Sequence, residues 1–153
     1  PVPGARWRDA CRIGFTDPVG GYSPGLGVGA NMALGLMSTA GWGNVLQLGR
    51  VMADSGCGAD LAAIGAQSLL DAGVVGVVGA ACSGATMAAN AVLSAAGIPR
   101  ISYASTNPGL SGAEAYPHFF RVVPSDALQG PAPNAVVSAD GGRDVAQMYM
   151  TND

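Results

Sequence analysis

Two short runs of small, hydroxyl-bearing residues have the types and spacing to do chemistry: Cys82-Ser83-Gly84 and Ala104-Ser105-Thr106-Asn107. A serine or threonine hydroxyl donates one hydrogen bond and accepts others, and the N–H groups at a helix start point at any anion placed before them. Ser83 and Thr106 are therefore candidates to hold one small anionic group together. The competing reading is that each hydroxyl only caps a helix or closes a turn. Two such turns on consecutive strands favour a site over two unrelated caps.

Each run ends an apolar stretch. Val74, Val75, Val77 and Val78 form a β-branched, uncharged run of the kind buried on both faces of a parallel sheet. A helix is expected from Thr86 to Ala96, closed by Gly97, and a second strand from Ile98 to Tyr103. Strand, turn, helix, strand and turn make one βαβ unit, and both polar turns fall at the carboxyl ends of strands, where open α/β sheets bind ligands. Upstream, the pattern predicts a strand over Arg12–Thr16 and a helix from about Gly27 to Thr39 with Met32, Leu36 and Met37 as its apolar contacts. A strand follows over Asn44–Met52, then a helix capped by Asp60 with Leu61, Ile64 and Leu69 buried and Gly73 as its stop. Downstream come a polar loop over 109–116, a strand over 117–123, and a helix announced by Ser125 or Asp126. Pro131 and Pro133 place its regular part near Gly130, and it ends at Asp140-Gly141-Gly142. A last strand is expected over Val145–Thr151. The alternation implies an α/β fold, a Rossmann-like lobe with a parallel central sheet flanked by helices.

Composition narrows the function. The chain has 153 residues, 49% hydrophobic and 11% charged, with a net charge of −3 and no lysine. Without a basic cluster, nucleic acid is not an expected partner. No charge occurs between Asp17 and Arg50, yet Gly20, Gly21, Pro24, Gly25, Gly27, Gly29 and Asn31 interrupt that stretch, so direct membrane insertion is not expected. Gly25 to Ala30 (GLGVGA) is similar to a dinucleotide fingerprint, but about eight residues separate it from the first strand, where the motif needs its glycines. The single histidine, His118, reads as structural. With no second histidine and no Gly-x-Ser-x-Gly turn, an enzyme is not expected, and neither is a cofactor. One histidine and three dispersed cysteines have no metal-ligand spacing. By composition alone, Cys11, Cys57 and Cys82 read as buried thiols. Residues 1–10 carry no period and read as an exposed lead-in without assigned function.

The segments RIGFTDPVGGY, VVGVVGAACSGAT, GIPRISYASTNPGL and YPHFFRVVPSDALQGP, the last with its Gln129-Gly130-Pro131 turn, together resemble the extracytoplasmic solute receptors of ABC importers in the leucine/isoleucine/valine-binding family. The resemblance implies the type 1 periplasmic-binding-protein fold, with residues 11–122 as the first ligand-binding lobe. Residues 123–153 would be the hinge exit and the start of a second lobe, so an N-terminal fragment, its signal peptide removed, is expected. The connection before the second strand is shorter than the family's, which puts the local pairing there in question. The resemblance further implies that the hydroxyls and N–H groups of Ser83 and Thr106 hold an α-carboxylate. The Ala104 carbonyl and the Thr106 hydroxyl would accept from the α-ammonium, and Ser105 would line the turn through its backbone. Tyr22 would cover the ligand side chain, with an ordinary loop tyrosine as the other reading. Cys57 and Cys82 match the family's disulfide, which leaves Cys11 over. The ammonium's acidic partner would come from the second lobe. The implied partners are a small amino acid, branched-chain or related amide or carboxylate, and ABC permease subunits, in the periplasm or outside the cell. The ligand-sensing domain of a regulator or receptor with the same fold is the alternative.

Overall fold

Alanine and glycine decide how the layers of this fold meet. The computed structural model describes residues 11–17, 25–41, 48–142, 144 and 146. Five parallel strands form one sheet: β1 (Cys11–Asp17), β2 (Leu48–Asp54), β3 (Val74–Val78), β4 (Arg100–Ser102) and β5 (Phe119–Arg121), in the order β2-β1-β3-β4-β5. The crossovers are α1 (Gly25–Thr39), α2 (Ala59–Asp71) and α3 (Ser83–Ala95), and α4 (Pro131–Ala139) follows β5. The expected parallel α/β architecture is present. Gly73 and Gly97 stop α2 and α3 with φ of +72° and +69°.

Successive strand residues face opposite sides of the sheet. Gly14 lies under Leu69 of α2 and beside Val77, whereas Ile13 and Phe15 face α1 across a cavity of about 530 Å³. The core lies between the sheet and the α2–α3 pair and is built from Ala62, Ala66, Leu69, Val74, Val77, Ala80, Ala85, Ala89 and Leu93. On the other face, register aligns Met52, Phe15, Val78, Ile101 and Phe120 in a row across all five strands. Helix α1 covers the part of the row on β1 to β3, and Phe120 is left 57% exposed.

Several sequence expectations need correction. In α2, Ala62, Gly65, Ala66 and Leu69 are buried, while Leu61 and Ile64 point to solvent, Ile64 at 66% exposure. A side chain at Gly65 would lie 2.9 Å from the Asp54 carbonyl, so the helix lies against the end of β2 through its small residues and not its large ones. In α1 the face towards the sheet carries Ala30, Ala33, Leu34 and Met37, and Met32 and Leu36 are turned outward, 62% and 67% exposed. Helix α2 is capped by Gly58, with Asp60 in its first turn, where a carboxylate complements the helix dipole. Strand β2 begins at Leu48 and runs to Asp54; 44–47 lie outside the described residues, as do 1–10, Tyr22 and most of the strand expected over Val145–Thr151. Strands β4 and β5 are shorter than expected, three residues each. Helix α4 begins at Pro131 and is closed by Asp140, as proline placement predicts.

Candidate functional site

The register Val77↔Arg100 and Val78↔Ile101 brings the ends of β3 and β4 side by side, and the two polar turns with them. Gly79 opens the first turn at φ +118°, donating its N–H to the Ile101 carbonyl at 2.9 Å. A side chain there would run into the Thr16 backbone carbonyl, so only glycine lets β1 and this turn approach. Beneath the turns, the Ala80 carbonyl accepts from the Ser102 and Ser105 hydroxyls at 2.7 and 3.1 Å, and the Thr86 hydroxyl stands 3.3 Å from it. Ser105 also pairs with the Thr86 hydroxyl at 2.7 Å, and the Ser102 hydroxyl accepts the Ser105 N–H at 3.0 Å. All three hydroxyl residues are fully buried, so they shape the site and do not face a ligand. Sequence reading missed Thr86 and Ser102 in this role.

From the side, Arg121 donates to the carbonyls of Ser105 and Asn107, at 3.4 and 3.0 Å, and to the Ser111 hydroxyl. These bonds brace the turn from Ser105 to Asn107 from the side. Helix α3 begins at Ser83, behind Cys82 at the cap position. Cys82 is joined to Cys57 by a disulfide with its Cα atoms 5.3 Å apart, which is the pairing that the resemblance implies. It offers no side-chain hydrogen bond to the first-turn N–H groups, so that helix end retains its capacity for an anion.

Proton direction separates the two outer hydroxyls. Ser83 accepts the Asn107 N–H at 3.2 Å, which leaves the Ser83 proton to donate outward. Thr106 donates to the Asp126 carboxylate at 2.8 Å, which leaves its lone pairs to accept. Asp126 is held in turn: its N–H donates to the Thr106 carbonyl at 2.9 Å, and Gln129 donates to its other oxygen at 2.7 Å. The residue was anticipated only as a possible helix cap; Ser125 caps instead, accepting from the Ala127 N–H. Nothing in local pattern joins Thr106 to a carboxylate twenty positions on. A carboxylate thus stands against the Thr106 hydroxyl. Ala104 is exposed in the same turn, its N–H on the Ser102 hydroxyl at 3.3 Å, so the structure unites Ser83, Ala104, Ser105 and Thr106.

One charge lies below this assembly. Arg100 is 1% exposed, donates to the Thr86 carbonyl, and stacks over Phe119 with 5.6 Å from its guanidinium carbon to the ring centroid. Its Nε and Nη1 have no hydrogen-bond partner. Burial pushes its pKa down to about 10, a shift that the nearby Tyr116 partly opposes. The glycine run Gly25–Ala30 lies inside α1 and not at a strand-to-helix turn. Among the described residues, no helix is long and apolar enough to cross a membrane.

The model of the receptor family ligand binding region matches residues 38–153. Metabotropic glutamate receptor 6 of Oryctolagus cuniculus is 47% identical over 68 residues, 44% of this chain and 8% of that receptor. The metabotropic glutamate receptor-like protein E of Dictyostelium discoideum is 36% identical over 80 residues, 52% of this chain and 10% of that protein. Among solved structures, the branched-chain amino acid transporter substrate binding protein LivJ from Streptococcus pneumoniae, in complex with isoleucine, is similar at a TM-score of 0.74 and 31% identity, over 84% of this chain and 38% of that one. An ABC transporter substrate-binding protein from Desulfitobacterium hafniense, in complex with Leu, gives a TM-score of 0.78 and 26% identity over 87% of this chain and 40% of its own. The chain therefore spans no more than 10% of those receptors and 38–40% of those binding proteins.

Proposed function

This chain belongs to the receptor family ligand binding region and has the type 1 periplasmic-binding-protein fold, and from that premise we propose that it forms an extracytoplasmic lobe that captures an amino acid by its head group. The observation that carries the reading is the opposed polarity of the two outer hydroxyls. The Ser83 hydroxyl and the first-turn N–H groups of α3 take the α-carboxylate. The Thr106 hydroxyl, the Asp126 carboxylate and the Ala104 carbonyl take the α-ammonium. Ser105 fixes the turn from inside, and Tyr22 is retained as a cover for the ligand side chain. Residues 11–122 act as the first lobe, and 123–153 lead into a second that closes over the ligand. The similar binding proteins solved with isoleucine and Leu support an amino-acid ligand.

Two settings suit such a lobe: a solute receptor handing its ligand to ABC permease subunits, or the sensing region of a cell-surface receptor. The 47% identity with a metabotropic glutamate receptor over 68 residues supports the sensing region, and the 31% identity with LivJ over 84% of the chain supports the solute receptor. The test is calorimetric titration of the chain with L-leucine, L-isoleucine, L-glutamate, their amides and NAD. We expect binding of at least one free amino acid, weakened about 10- to 100-fold by Ser83→Ala, the loss of one hydrogen bond to a charged group. Binding of NAD alone would overturn the reading.

A further inference from the structure

Arg100 is the only ionisable side chain in the buried interior among the described residues. Its guanidinium makes one hydrogen bond, to the Thr86 carbonyl, and no carboxylate lies against it. An unpaired buried cation destabilises a fold where a methionine or leucine of similar volume would not. Its position shows what it acts on. Arg100 stands on β4 two residues before Ser102, and its hydrogen-bond partner Thr86 is one turn into the helix that begins at Ser83. The Thr86 hydroxyl is in turn bonded to Ser105 of the other turn. The interior between the guanidinium and the two turns holds packed alanines and hydroxyls, and there a charge is felt over a longer range than in water.

We propose that Arg100 is a buried counter-charge for the ligand's α-carboxylate, and so a specificity-determining residue that selects free amino acids over their uncharged-carboxyl analogues. The proposal rests on the amino-acid reading above. Arg100 is tied through the Thr86 carbonyl to the helix whose start takes the carboxylate, whereas Asp126 bonds to Thr106 on the other turn, so the field of Arg100 is assigned to the carboxylate end. Replacing the α-carboxylate by a primary amide removes the charge that Arg100 attracts and leaves the α-ammonium unbalanced at the head group, where Arg100 repels it. The expected discrimination is roughly tenfold, the size of a unit-charge interaction across about 10 Å at an effective protein dielectric of about 20.

The experiment titrates wild type, Arg100→Gln and Arg100→Lys with L-leucine against L-leucinamide, and with L-glutamate against L-isoglutamine. Glutamine keeps a donor for the Thr86 carbonyl and drops the charge; lysine keeps the charge. We expect Arg100→Gln to shrink the ratio of amide to free-acid dissociation constants about tenfold, and Arg100→Lys to preserve it. A loss of affinity that falls equally on acid and amide in Arg100→Gln, or a ratio lost equally in Arg100→Lys, overturns the proposal. A wild type that binds neither amino acid overturns the underlying reading as well, and does so before any variant is compared.

Discussion

At Thr106 the direction of one proton decides which charge the site accepts. Because Asp126 takes the threonine proton at 2.8 Å, the hydroxyl presents lone pairs to a cation, and Asp126→Asn, which removes the formal charge, should weaken amino-acid binding about 10- to 100-fold by titration. Ser83 was recognisable from sequence because it opens a helix after a valine run. Asp126 was not, since its partner lies on another strand's turn and no local periodicity reports such a contact. The hydroxyls of Thr86 and Ser102 were equally hidden, being ordinary helix and strand residues until the sheet register brings them over the Ala80 carbonyl. Arg100 carries a second prediction. Its folded pKa of about 10 lies below the ordinary guanidinium value, so above pH 10 the unfolded chain binds more protons and stability rises with pH. Below pH 10 the burial cost is undiminished. Arg100→Met should therefore raise the free energy of unfolding by about 1 to 4 kcal/mol, by urea titration, with an increment flat from pH 6 to 9.

Among the elements, α3 is the one whose placement bears most on the site, and it is held at its start by the Cys57–Cys82 disulfide, which closes 25 residues of chain. Reduction, or replacement of both cysteines by serine, should cost about 3 to 4 kcal/mol on the loop-entropy estimate. It should also weaken amino-acid binding, because the bridge anchors Cys82, the residue preceding Ser83; urea unfolding and ligand titration with and without reductant check both. The βαβ unit around α3 was legible because its valine run, polar turns and closing glycine all point to one structure. Helices α1 and α2 were placed correctly, with Met37 and Leu69 facing inward as expected but Met32, Leu36, Leu61 and Ile64 turned outward. Much of their inner faces is alanine and glycine, which a search for large apolar residues passes over, and close helix-to-strand approach rewards small size. Gly65→Leu, which forces a side chain against the Asp54 carbonyl, should destabilise by about 1 to 3 kcal/mol, read as a lowered urea midpoint.

For the whole molecule, sequence similarity and shape point to one ligand class through different relatives: receptors matched over 44–52% of the chain and solute-binding proteins matched over 84–87% of it. The two faces of its sheet are unequally finished. One carries the α2–α3 layer, while among the described residues the row from Met52 to Phe120 is covered by α1 only as far as β3. Among the described residues the two outermost strands, β2 and β5, each have a single neighbouring strand, and β5 carries an exposed phenylalanine beside that rim. A strand of another molecule that met β5 would find both hydrogen-bonding groups and an apolar surface to extend, with the Arg121 guanidinium, turned back onto its own turn, poorly placed to repel it. When the chain is handled by itself, colloidal association is expected to start at β5, and Phe120→Lys is the change that should keep it dispersed.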